Sequence, residues 1–256
     1  VDTNYSFGVN NGGSFGGGLH LQAGGPHLIR NTLISRNRNR NNIATTDQGD
    51  GAYLSATSVF QNCTIVNSSG TGIYATVSGV LSNCILWGNG DDIYDTSGTY
   101  KFYYTDTENG DNVGADGCVS TNPLFADTLY FHLQSTYGVY TGGWFSGGAW
   151  DVSLSNSPLI DACAPGIIPT DEPHPNGALV NMGAYGNTLT ASKSPPSTVT
   201  NRAPSGISVD AATLNGEVLF PGSAGVHLWF YYGTNDGTNN AAAWETNVFV
   251  GVTSTA

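Results

Sequence analysis

Val59-Phe60-Gln61-Asn62-Cys63-Thr64-Ile65 and Val80-Leu81-Ser82-Asn83-Cys84-Ile85-Leu86 are two copies of one pattern, and an earlier copy reads Leu28-Ile29-Arg30-Asn31-Thr32-Leu33-Ile34. Each follows a short glycine-led strand signal: Gly51-Ala52-Tyr53-Leu54, Gly72-Ile73-Tyr74-Ala75 and Gly18-Leu19-His20-Leu21. From Asn62 to Asn83 is 21 residues, and from Asn31 to Asn62 is 31. The longer interval contains the polar run Arg36-Asn37-Arg38-Asn39-Arg40-Asn41-Asn42, which is expected to bulge out as a loop. A unit of this length holds two or three short strands and cannot bury its own apolar face. Stacking at roughly 4.8 Å per turn lets each apolar position sit on its copy in the next turn. The repeat therefore predicts a solenoid of parallel strands. Asn31, Asn62 and Asn83 would stack at a bend, their amides forming a hydrogen-bonded ladder, which is a structural role and not a catalytic one. The same stacking sets Cys63 over Cys84 as buried thiols whose parallel side chains meet poorly for a disulfide. Asp92-Ile93-Tyr94 and Tyr100-Lys101-Phe102-Tyr103-Tyr104 read as a further turn.

Composition agrees with an all-β chain. Of 256 residues, 35 are Gly and only 10% are charged, and no sustained apolar pattern has a helical period. A net charge of −12 repels nucleic acid and anionic headgroups and disfavours an acidic polysaccharide, so a nucleic-acid partner is excluded. No apolar stretch approaches the roughly 18 to 20 residues of a membrane span, so membrane insertion is not expected. The chain opens at Val1 without a basic and apolar leader, which reads as a processed chain or a piece of a longer one. Four cysteines without zinc-type spacing are open to two readings, disulfides in an oxidising compartment or buried free thiols. Few Lys, much Asn and Gly and a low pI point to a secreted, extracellular or cell-surface protein.

From Gly16 to about Pro195 the chain resembles bacterial extracellular right-handed parallel β-helix proteins, with repeats related to those of pectate lyases and polymorphic outer-membrane proteins. The Asn62-Cys63-Thr64-Ile65 and Asn83-Cys84-Ile85-Leu86-Trp87-Gly88-Asn89 segments look like that group's turn signature. Asn122-Pro123-Leu124-Phe125-Ala126-Asp127 followed by Phe131-His132-Leu133-Gln134 looks like its penultimate element. Ser157-Pro158-Leu159-Ile160-Asp161-Ala162, with Asn181-Met182-Gly183-Ala184-Tyr185-Gly186, looks like the segment that caps the helix. Cys163 stands where the group usually has Gly, and Cys118 lies just before the Asn122-Pro123 element. Within that resemblance, a Cys118 to Cys163 disulfide pinning the cap is the expected pairing.

After Pro195-Pro196 the texture changes. Ala212-Thr213-Leu214-Asn215-Gly216 and Val226-His227-Leu228-Trp229-Phe230-Tyr231-Tyr232-Gly233 resemble the early strands of fibronectin-III-like modules. The expected organisation is a parallel β-helix with its cap over residues 1–195, then a partial immunoglobulin or fibronectin-III-like β-sandwich over 196–256. A full sandwich needs about 100 residues. The sandwich would be completed by further chain or by a strand from a neighbouring molecule, so self-association or neighbouring domains of a longer chain are the expected partners.

For chemistry, the loop Asp106-Thr107-Glu108-Asn109-Gly110-Asp111-Asn112 carries alternating oxygen ligands, so Asp106, Glu108 and Asp111 are the candidate Ca²⁺ ligands, although the twelve-residue EF-hand pattern is missing. No other cofactor is implied. Arg36, Arg38 and Arg40 form the only basic cluster and would be the candidate lyase base, but they lie in a predicted loop and no second element fixes their geometry. No catalytic residue is assigned. Trp144, Phe145 and Trp150 lie in the Gly-rich run from Gly142 to Asp151 and could offer flat faces to sugar rings of a glycan, with Trp144 and Trp150 the candidate ligand-binding residues. The leading expectation is a secreted or cell-surface structural or adhesive module, a subunit or segment of an extracellular filament. The alternative is a polysaccharide-binding or polysaccharide-degrading β-helix, a lyase or glycoside hydrolase.

Overall fold

The computed structural model describes residues 4–8, 15–41, 48–220 and 226–253. Two compact units divide the chain, Val1–Lys193 and Ser194–Ala256. In the first, the repeated segments form three four-stranded parallel sheets. The first sheet joins Leu19–Leu21, Ala52–Leu54, Thr71–Ala75 and Asp91–Asp95. The second joins His27–Arg30, Ser58–Gln61, Gly79–Ser82 and Lys101–Tyr103. The third joins Leu33–Ser35, Thr64–Val66, Ile85–Trp87 and Asp106–Thr107. Each successive turn of the chain thus adds one strand to every sheet.

Register follows the repeat residue for residue. Ile29 pairs with Phe60, Phe60 with Leu81 and Leu81 with Phe102, while Ile34 pairs with Ile65 and Ile65 with Leu86. Alternation sends these side chains inward, and Phe60, Ile65, Leu81 and Leu86 are fully buried. Each such side chain contributes about 1.5–3 kcal/mol relative to exposure. Cys63 and Cys84 sit in the same core as free thiols. The bend between the second and third sheets is made by Asn31, Asn62 and Asn83 at φ of 44°, 50° and 54°. That left-handed conformation suits Asn better than any other side-chain-bearing residue apart from Asp.

Two expectations need correcting. The polar run does not bulge out along its length: Arg38–Asn41 is a strand, paired in parallel with Tyr5–Gly8. Buried amides hold it in place. Asn37 Oδ1 accepts from the Asn4 backbone N–H at 2.9 Å, and Asn39 Nδ2 donates to Gln48 O at 3.0 Å. Asn42, the last residue of the run, lies outside the described residues. The predicted asparagine ladder is also not formed. The three bend residues stack, but their amides reach sideways to the C-terminal segment of the unit instead of to each other. Asn31 Nδ2 donates to Ala184 O and Gly186 O, Asn62 Nδ2 donates to Asn181 O, and Asn83 Oδ1 accepts from the Ala164 N–H. These bonds satisfy backbone groups of that segment, carbonyls at Asn31 and Asn62 and an N–H at Asn83.

The segment expected to cap the stack therefore lies along its side, touching three successive turns. Thr64 and Ile85 point outward from the third sheet, and Ile85 packs in a second core with Leu133, Leu159, Ile160 and Met182. Gly183, at φ +87°, permits this approach, because a Cβ there would lie 2.7 Å from both Ile85 Cδ1 and Thr64 Oγ1. Asn181 organises the segment. Its Oδ1 accepts from the Asp161 N–H at 2.9 Å, its Nδ2 donates to Ser192 O at 2.7 Å, and its own N–H donates to Glu172 Oε1 at 2.8 Å. The far end of the stack is continued by Val119, which bridges in parallel to Asp106.

In the second unit, Thr198–Ser205 pairs antiparallel with Thr213–Phe220, and Val226–Tyr232 with Thr246–Thr253. Arg202 and Glu217 form an ion pair across the first of these pairs. Much apolar surface stays exposed, including Val199, Leu219 and Trp229. Among the described residues no helix is long and apolar enough to cross a membrane.

Candidate functional site

An open cleft of about 590 Å³ lies beside the third sheet, lined by Asn31, Thr32, Leu33, Tyr130, Trp144, Phe145, Ser146 and Tyr185 together with Gly143. Its walls come from the bend at residues 31–33 and from three further parts of the chain. Asp127 Oδ1 accepts from the Leu129 N–H at 2.7 Å, closing the turn that presents Tyr130. Trp144 and Phe145 ride on the Gly-rich loop, whose base is the antiparallel pair of Val139–Tyr140 with Trp150–Asp151. Gly142 and Gly148 approach so closely there that a Cβ on Gly148 would lie 2.3 Å from the Gly142 nitrogen. Ser146 Oγ accepts from the Gly143 N–H at 3.0 Å and donates to Tyr130 Oη at 3.0 Å, tying the loop to the turn. Tyr185 comes from the lateral segment and is flanked by the two carbonyls that Asn31 holds.

Behind the wall, three rings stack in sequence. Trp144 lies on Tyr185 at 5.2 Å and 18°, and Tyr185 lies on His132 at 3.6 Å and 21°. His132 is fully buried, and its Nε2 bonds to Gly142 O at 2.8 Å, so the root of the loop is fixed from within. Burial holds its imidazole below the usual histidine range and pushes the Tyr185 phenol well above the usual tyrosine range. The interior ring is thus a neutral support. Trp144 and Phe145 are exposed, Phe145 completely.

The structure separates the two tryptophans that sequence reasoning grouped together. Trp150 does not line the cleft. Its ring lies under Lys193 Nζ at 4.5 Å and makes an edge contact with Tyr140. Sequence reasoning placed Phe145 beside Trp144 but missed Tyr130 and Tyr185 as their partners in the cleft. The Asn122 to Asp127 element hinted at a turn before Tyr130, but nothing local pointed to Tyr185.

The proposed calcium ligands are not brought together: among the described residues, no group of three or more His, Cys, Asp or Glu is placed to hold a metal. Two of the three carboxylates are committed to different pieces of backbone. Asp106 Oδ1 accepts from the Thr121 N–H at 2.9 Å, Glu108 Oε2 accepts from the Gly88 N–H at 2.7 Å, and Asp111 Oδ2 is buried without a partner. Burial, reinforced by the charges of Asp92 and Glu108, pushes the Asp106 carboxyl up to about 7. Burial likewise raises Asp92 to about 6. Side-chain bracing between turns occurs at this corner, where Asn89 Oδ1 accepts from the Ser68 N–H and Asn109 Oδ1 accepts from the Asp92 N–H. The spacing of 20 residues from Asn89 to Asn109 was the available signal.

Cys118 and Cys163 are buried free thiols and not a disulfide. Cys118 belongs to the last turn of the stack, beside Asn112, whereas Cys163 lies in the lateral segment with its N–H on Val180 O. Burial pushes the Cys163 thiol up to about 11. Comparison with known proteins returned no matching family model, no significantly similar curated protein and no significantly similar solved structure.

Proposed function

We propose that this chain is a non-catalytic, extracellular adhesive module that binds a neutral glycan in the aromatic cleft. Its stack reads as a right-handed parallel β-helix, since crossovers between parallel strands of one sheet are right-handed in nearly all proteins. The second unit reads as the opening strands of a fibronectin-III-like module.

The observation that carries the glycan reading is the cleft itself. Exposed rings of Trp144 and Phe145, with part-exposed Tyr130 beside them and buried Tyr185 backing Trp144, are combined with the hydroxyl and amide groups of Ser146, Thr32 and Asn31. Pyranose rings present apolar C–H faces with a polar rim, which is the complement of such a surface. A net charge of −12 selects against acidic polysaccharides. No Asp, Glu or His is among the lining residues, which favours binding over the hydrolase or lyase alternative.

The test is calorimetric titration with oligosaccharides of glucan, xylan, mannan and galactan. Binding of at least one class is expected, without release of reducing ends. Trp144→Ala is expected to weaken it on the order of tenfold or more, the loss of a stacking contact, while Leu154→Ala, at an exposed residue outside the cleft, leaves it unchanged. Absence of binding across the set, or binding indifferent to Trp144→Ala with circular dichroism unaltered, overturns the reading.

A further inference from the structure

The outer face of the first sheet carries a second aromatic feature, unrelated to the cleft. Alternation buries Ala52, Leu54, Ile73 and Ala75 and turns Tyr53 and Tyr74 outward. In-register parallel pairing then sets Tyr53 beside Tyr74 and Tyr74 beside Tyr94. The ring centroids are 5.6 and 5.2 Å apart, with interplanar angles of 22° and 35°. Among the described residues these are the only tyrosine–tyrosine ring contacts. Tyr94 is 52% exposed and the other two are half-buried, so all three are accessible from solvent at their edges. Gln48 Nε2 donates to Tyr74 Oη at 3.1 Å and steadies the central ring. The Tyr74 phenol is raised by burial and then by its two phenol neighbours.

We propose that Tyr53, Tyr74 and Tyr94 form an oxidative modification site, at which a peroxide-dependent one-electron oxidant links adjacent turns of the stack through a dityrosine bond at Tyr74. Two phenols each lose one electron and one proton to give phenoxyl radicals. Their ortho carbons join, and the two ring hydrogens shift to the oxygens to restore the phenols. One C–C bond forms, the pair loses two hydrogens in total, and one hydrogen peroxide is reduced to two waters. Coupling normally fails because a radical rarely meets a second one. Here the partner ring is held in van der Waals reach by the sheet register, which makes the encounter intramolecular. Rotation about the side-chain torsions, turning the rings from face to edge, is needed to bring the ortho carbons together. The product staples neighbouring turns across one repeat, constraining the unfolded chain as any covalent cross-link does.

The experiment treats a dilute solution of the 256-residue chain with a haem peroxidase and limiting hydrogen peroxide. Expected are monomeric products lighter by two hydrogens, blue dityrosine emission, and linked peptides mapping to Tyr53 with Tyr74 or Tyr74 with Tyr94. Tyr74→Phe keeps the ring and loses only the contact with Gln48, and it is expected to abolish the intramolecular product, whereas Tyr137→Phe is expected to leave it intact. The double variant Tyr53→Phe with Tyr94→Phe removes both partners and should behave as Tyr74→Phe does. Products that are only intermolecular, links mapping instead to Tyr137, Tyr231 or Tyr232, or an undiminished yield in folded Tyr74→Phe would overturn the proposal.

Discussion

Replacing Asp106 by Asn should remove a pH dependence of stability that the stack has built into its third sheet. The Asp106 side chain is fully buried, one oxygen accepting from the Thr121 N–H and the other without a partner. Burial raises its carboxyl from 3.8 to about 7, so the folded state keeps the proton over a range in which the unfolded chain has released it. The unfolded state then binds fewer protons, and stability falls as pH rises. The contribution is complete below about pH 4 and is lost through pH 7. A rise from 3.8 to about 7, at about 1.4 kcal/mol per pH unit, sets its size at no more than about 4 kcal/mol. Asp106→Asn keeps an acceptor for Thr121 and cannot ionise. It should match or slightly trail the parent at pH 5 and exceed it at pH 8. Asp92 and Glu172 titrate over an overlapping range, with values of about 6 and about 7, so the difference between variant and parent, not the parent curve alone, isolates Asp106. The assay is urea unfolding followed by circular dichroism between pH 5 and 8, with hydrogen exchange of residues 84–121 to localise the change. Parallel pH profiles for parent and variant would refute the argument.

Asn181→Ala should destabilise the first unit by about 2 to 6 kcal/mol, because it leaves the buried Asp161 N–H and Ser192 carbonyl unpaired at roughly 1–3 kcal/mol each. Urea midpoints measure this, and a change below about 1 kcal/mol would show that the segment relaxes around the gap. His132 has its folded pKa below the ordinary value of 6.5, so the unfolded chain takes up the proton first and stability contributed by the neutral ring is lost as pH falls below 6.5. That slope is opposite to the one from Asp106, and His132→Gln should remove it, as read from the variant-minus-parent difference between pH 7 and 5.

How much of this was legible beforehand depends on how locally each feature is encoded. The repeat at Asn62 and Asn83 determined the strand pairing, because burying one apolar column on the next admits a single register, and Phe60 lies on Leu81 accordingly. It also located the bend, since Asn tolerates a positive φ. What the bend residues bond to could not be read in advance: Asn31 reaches Ala184 across 153 positions, and no local pattern announces that contact. The polar run looked like a loop because its composition is that of a loop, and only its pairing with Tyr5–Gly8 makes it a strand. Residues 122–193 have almost no periodicity, so their course was decided by the outward face of Thr64 and Ile85, which needed covering. The cleft follows from that course. Trp144 was visible as an aromatic in a Gly-rich loop, yet it becomes one wall of a site only because the lateral segment lays Tyr185 against it, supported from beneath by His132. The sequence by itself determined the stack, whose order is periodic and short-range. The tertiary structure alone decided the site, which is assembled from side chains that meet only after the third sheet has been covered.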